Sequence, residues 1–294
     1  MSLIAWTFFN FIACQVHPSL NFIEVPDVIL SNNNKTRSHL HRAFKILHSG
    51  RCKHIYFDFG SNLGVQIRKL YEPHLYPGAP VLPIFDARFG KTADANRNNV
   101  CAFGFEPNPH WTDTLEQIEE SYNLQGWPVV MFTETAINTH GDDVSFFLEP
   151  KESSNHHEWG ASLTAWHDSM TAITAGSIHV SHFIHFVANK RVGKVEGSQI
   201  VAKMDVEGAE YALVPHLITT GAMCLINEIF VEFHEFSVTG ELPPTSRDDF
   251  VADIMYLLKN SGDCNNTLMN HLDDETYGNT WMPLPGNSTW HKRS

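Results

Sequence analysis

His54-Ile55-Tyr56-Phe57-Asp58-Phe59-Gly60-Ser61-Asn62-Leu63-Gly64 begins as an apolar run and ends as an acidic, glycine-containing loop. His54 to Phe57 reads as a short strand, and Asp58 to Gly64 is the loop. Apolar positions resume at helical spacing from Leu63 to Tyr71, and Pro73 closes them. Strand, glycine turn and helix in this order open a nucleotide-type α/β fold. Gly60 and Gly64 let main chain approach a ligand closely, and the next helix offers free amides at its first turn. A dinucleotide site would aim those amides at a pyrophosphate. Asp58, inside the loop, would repel that group and would suit an ammonium instead.

Outward from this unit the pattern repeats. Thr36 to His48 carries Leu40, Ala43, Phe44 and Leu47 on one helical face, with Gly50 as its stop. Cys101 to Phe105 is a second strand ending at Glu106-Pro107-Asn108-Pro109, and a helix with Leu115, Ile118 and Tyr122 follows. Val129 to Ile137 reads as one strand and Asp143 to Leu148 as a half-exposed one. Further strands are expected near Ile178–Val180, Gln199–Met204 and Leu225–Phe233, and helices over His182–Ala188, Tyr211–Ile218 and Asp248–Leu258. The stretch 77–99, rich in Pro, Gly, Asn and Asp, reads as a surface insertion. The segment 151–176 lacks periodicity and reads as a substrate-side loop, with His156, His157, Trp159 and Trp166 available to shape a pocket. Alternating strands and helices predict a mostly parallel sheet covered on both faces. Asp58, Glu106, Asp205 and Glu232 then fall at the C-terminal strand ends, the edge where open α/β sheets bind ligands.

Composition bounds the function. A hydrophobic share of 43% supports a real core, and a net charge of −13 excludes general affinity for nucleic-acid phosphates. Leu3 to Cys14 is an apolar run too short for a confident membrane span, so no stable span is expected. Residues 1–20 read either as a signal peptide or as an N-terminal apolar segment packed on the domain. Removal of that run would leave Cys52, Cys101, Cys224 and Cys264, an even set that forms two disulfides or four buried thiols. Sequons at Asn34, Asn265 and Asn287 would make a secreted chain a glycoprotein. Entry into the secretory pathway is the expectation, with a cytoplasmic location as the alternative. The 18 histidines are scattered and read mainly as surface or helix-face residues.

Four motifs, DFGSNLG at 58–64, FEPNP at 105–109, KMDVEGAE at 203–210 and VEFHE at 231–235, resemble the successive motifs of FkbM-type methyltransferases, in that family's order. The resemblance runs from about Ile55 to Leu258. It implies a Rossmann-like class I methyltransferase fold over 36–294, a single domain with a seven-stranded, mostly parallel sheet whose last strand is antiparallel. It also implies S-adenosylmethionine as cofactor. Asp58, Gly60 and Asn62 would line its methionine side with Gly64 closing the loop, Glu106 and Asn108 would sit at the ribose, and Thr135 and Ala136 near the adenine, with Asp205 completing the site. Known members methylate sugar or polyketide hydroxyls.

A hydroxyl acceptor needs alignment with the donor methyl and a group to take its proton. His234, with an ordinary imidazole pKa, is the expected base, and Asp205 competes for the role. Asp205, Glu207 and Glu232 would also suit a divalent metal, which is not the favoured arrangement. The favoured function is O-methylation of a carbohydrate or another small hydroxylated acceptor. The alternatives are a methyltransferase for a protein or lipid, and a secreted binding module that keeps the fold without the activity.

Overall fold

The structure is a computed structural model. It describes residues 33–91, 96–149, 160–165, 167–191, 195–234, 246–260, 264, 266–272, 274, 276–277 and 280–286. The elements are α1 (Asn34–His48), β1 (His54–Phe59), α2 (Val65–Tyr71), α3 (Leu82–Phe89), β2 (Val100–Glu106), α4 (Thr112–Leu124), β3 (Val129–Thr133), β4 (Thr135–Asn138), β5 (Val144–Leu148) and β6 (Thr171–His179). Then come α5 (Val180–Arg191), β7 (Ile200–Met204), α6 (Glu210–Thr219), β8 (Glu228–Val231), α7 (Arg247–Asn260) and β9 (Leu268–His271).

Six strands form the central sheet in the order β3-β2-β1-β7-β8-β9, and each neighbouring pair is parallel. The α/β architecture and parallel sheet match the sequence reading. The seventh, antiparallel strand is not found among the described residues; the last strand, β9, runs parallel to β8.

Alternation along the strands divides the core. Phe57, Phe59, Phe103, Phe105 and Phe132 face α1, α5, α6 and α7. Phe183 of α5 meets Phe57, Phe103, Phe105 and Phe132 with centroids 5.5–5.9 Å apart, in edge-on arrangements. Tyr56, Ala102, Met131, Val201 and Phe230 point the other way, onto α2, α3 and α4. Helix α1 begins at Asn33, whose side chain accepts from the Lys35 and Thr36 amides, and it buries Thr36, His39, Leu40, Ala43 and Leu47.

Three segments differ from expectation. The 77–99 stretch is no mere surface insertion: it contains α3, whose Phe85 and Phe89 are buried in the second core. Its turn-forming composition hid a short apolar helix. The single strand expected over 129–137 is two strands, broken at Glu134, where φ is +51°. β3 stays in the central sheet, and β4 joins a small sheet of order β4-β6-β5. The irregular segment is shorter than 151–176, because Thr171 to Gly176 is already strand β6. His156, His157, Trp159, Trp166, Asn265, Asn287 and residues 1–20 lie outside the described residues. No helix among the described residues is long and apolar enough to cross a membrane.

The four cysteines form two disulfides, Cys52–Cys101 and Cys224–Cys264. The first joins the entry of β1 to β2 and closes a separation of 49 residues, which the loop-entropy relation converts to about 4 kcal/mol of stability. A Cys52→Ser/Cys101→Ser variant should therefore lose about that much in non-reducing urea denaturation. An unchanged midpoint would show that the bridge does not form.

Candidate functional site

A cleft opens at the C-terminal ends of β1, β2 and β7, with β4 along one side. Gly60, Asn62, Glu106, Ala136, Asp205 and Glu207 line it with Phe105, Pro107, Ile137, Phe146, Ala161, Leu163 and Val206. Five of the expected site residues, Gly60, Asn62, Glu106, Ala136 and Asp205, thus share one cavity.

Gly60 is required by main chain against main chain. Its φ is +83°, and a Cβ there would lie 1.7 Å from the Asp205 carbonyl oxygen. The Gly60 and Ser61 amides donate to Phe105 O, and the Asp205 amide donates to Phe59 O. These bonds tie the ends of β1, β2 and β7 together. Gly64 has a different task. A Cβ there would press on Ile118 at 2.7 Å, so this glycine lets α2 pack on α4. It does not line the cleft.

Glu106 is held by two amides: Asn62 N donates to Oε2 (2.6 Å) and Asn108 N to Oε1 (2.9 Å). Burial pushes its carboxyl up to about 7, against the pull of those bonds. Asn108 itself is buried and caps the turn after β2, accepting from His110 N (3.0 Å), and its amide helps to fix Glu106. Thr135 is likewise buried, with its hydroxyl on Thr133 O (3.0 Å) and Thr36 Oγ1 (3.1 Å), while its neighbour Ala136 reaches the cleft.

Asp58 lies behind the cleft wall, fully buried, with Ser61 Oγ donating to its main-chain oxygen (3.1 Å) and helping to hold its carboxyl down. Burial pushes its carboxyl up to about 6, with Lys203 opposing. Lys203 is its register partner on β7. The Lys203 ammonium donates to Asp205 Oδ2 (2.6 Å) and Gly60 O (3.2 Å). Burial disfavours that charge, but Asp205 and Asp58 outweigh it and hold the lysine protonated.

His234 adjoins the cleft from the end of β8. Its Nδ1 lies 3.2 Å from Glu210 Oε1, and its Nε2 lies 3.4 Å from Glu207, 3.7 Å from Asp205 and 3.7 Å from Glu232. Glu210 is fully buried and also accepts from the Val206 and Gly208 amides (2.7 and 2.8 Å). It is thus more than the favourable charge at a helix start that its position suggests. Burial alone would lower the His234 pKa. The bond to Glu210 and the charges of Glu207, Glu210 and Asp205 prevail and push it up to about 10. The expectation of an ordinary, proton-accepting imidazole is corrected: the carboxyls of Glu210, Glu207 and Asp205 keep this ring a cation at neutral pH.

Lys203 is the functional group that the sequence reading passed over as part of a motif. A lysine within the otherwise apolar Ile200–Met204 strand was the available signal, because a buried cation requires a partner. Glu207, at φ +51°, and Asn62, at φ +45°, are strained left-handed residues lining the cleft. Ser162 Oγ donates to Glu207 O (2.7 Å) and so couples the small sheet to the site. No family model, curated protein or solved structure matches the chain.

The pKa directions set a pH dependence. Glu207 is pushed up to about 8, chiefly by burial, with His234 opposing, and His234 is pushed up to about 10. Both groups hold more protons folded than unfolded, so their contribution is present at low pH and is lost as pH rises through the folded values. Metal-free protein should melt at progressively lower temperature from about pH 6.5 to 10, and His234→Gln should flatten that slope. A wild-type melting temperature that is constant or rising over this range would contradict the assigned environment.

Proposed function

We propose that the chain is an S-adenosylmethionine-dependent methyltransferase that transfers the methyl group to a hydroxyl of a carbohydrate or another small acceptor. The observation that carries this reading is the Glu106 carboxylate, aimed into the cleft by two backbone amides, with Asp58 and Lys203 behind the neighbouring loop. A fixed carboxylate at the end of the second strand is suited to paired ribose hydroxyls. Asn62 and Gly60 offer the adjoining edge to the methionine portion, and Ala136 with Ile137 and Phe146 offers an apolar wall for adenine.

The reaction asks little covalent work of the protein. The acceptor oxygen attacks the methyl carbon, the carbon–sulfur bond breaks, and S-adenosylhomocysteine leaves with the electron pair. The hydroxyl proton passes to a base. Asp205, on the cleft wall, fits that role, whereas Glu207 and His234 already hold their protons at neutral pH and serve to position it. Alignment supplies most of the acceleration. The two disulfides favour an oxidising compartment and so the secretory expectation.

Calorimetry with S-adenosylmethionine should detect binding to the folded chain at one site. Glu106→Gln should weaken it by roughly tenfold or more, because a charge-assisted hydrogen bond contributes about 1.5–3 kcal/mol. Absence of binding by correctly folded wild-type protein would overturn the reading.

A further inference from the structure

Asp205, Glu207 and His234 come from two separate strand ends, yet one ligand atom from each lies within 4.8 Å of the others. The His234 Nε2 distances to Glu207 and Asp205 are 3.4 and 3.7 Å. Donors around one cation at about 2.1–2.4 Å stand roughly 3.0–3.9 Å apart, so little movement would bring these atoms into a coordination shell. We propose that Asp205, Glu207 and His234 form a divalent-cation site, with Glu232 as a fourth ligand, the ion replacing the Nε2 proton of His234, which is released to solvent.

Two further features favour an ion. The first is the support of the imidazole. Its other nitrogen faces Glu210, a fully buried carboxylate fixed by two backbone amides. That is the outer partner a metal-ligating histidine requires, since it sets which nitrogen is presented and raises its basicity. The second is charge. The carboxyls of Asp205, Glu207, Glu210 and Glu232 all lie within 3.7 Å of a nitrogen of the His234 ring. Four acidic groups crowd one imidazole there, and a bound cation is a charge that they could share.

The donor set selects the ion's chemistry. Carboxylates with one imidazole and no thiolate suit a hard or borderline ion of the Mn²⁺ type. Its open positions would face the cleft beside Asp205 and Glu207, where an acceptor with two neighbouring oxygens could chelate it. This last step rests on the methyltransferase reading; the ion site does not.

The test is an electron paramagnetic resonance titration of the full chain with Mn²⁺ after chelator treatment, without S-adenosylmethionine or acceptor. One Mn²⁺ per chain is expected. Glu207→Gln and His234→Gln should each weaken binding at least tenfold, with circular dichroism confirming that each variant is folded. His179→Ala alters the unrelated histidine pair in which His179 stacks on His182 at 3.6 Å, and it should retain Mn²⁺. No saturable binding by folded wild type, or equal binding by the Glu207 and His234 variants, would overturn the proposal. Should Mn²⁺ bind as described while S-adenosylmethionine does not, the ion site stands and the methyltransferase reading alone falls.

Discussion

The approach of the Gly60 main chain to the Asp205 carbonyl fixes the geometry of everything else at the cleft. At this point the central strand β1 meets β7, and there is no room for a side chain between their ends. Because the two turns touch, the loop leading into α2 and the loop leading into α6 become opposite walls of a single cavity. Hydrogen bonds from Gly60 and Ser61 to Phe105 O bring the end of β2 to the same place. Three strand ends are therefore positioned by backbone, before any charged side chain is considered. Side chains on such a frame can be acidic without the frame itself depending on them.

That separation matters, because the acids oppose folding. Glu106, Glu207 and Asp58 are all pushed upward by burial, which means that each would be better solvated in the unfolded chain. Lys203 and His234 relieve part of the cost, one beneath Asp205 and the other between Glu207 and Glu210. Strain at Asn62 and Glu207 adds to it. The compensation lies elsewhere, in the phenylalanine-rich layer around Phe183 and in the disulfide that fastens β1 to β2.

Much of the sheet was legible in sequence because its strands are short apolar runs that each end at a carboxylate or a glycine. His54–Phe59, Val100–Glu106 and Ile200–Met204 all follow that pattern, and their parallel order follows from the helices between them. Local composition misled where tertiary burial decided. Phe85 and Phe89 lie among turn-forming residues and are nonetheless core. Glu134 breaks a run of strand-forming residues because the chain must leave one sheet for another there. At the site, residue types were readable and protonation states were not. His234 looked like an ordinary base in one dimension. Its four carboxylate neighbours come from positions 205 to 232, and only folding surrounds the ring with them.

Helix α2 starts at the cleft and ends under the last described segment of the chain. Its Arg68 donates to the Thr280 and Met282 carbonyls, and Lys69 pairs with Asp274 at 2.8 Å, with both partners of that pair buried. The bond to Thr280 spans 212 positions in sequence. During synthesis the glycine loop and α2 emerge from the ribosome long before these partners exist. Until then α2 carries two cations that its fold buries: Arg68 has a local carboxylate in Glu72, whereas the carboxylate that pairs with Lys69 is Asp274. The binding edge of β1 is thus among the first parts made and among the last completed. A nascent chain stalled before residue 274 would carry every motif of the site and lack the brace that holds its first helix in place.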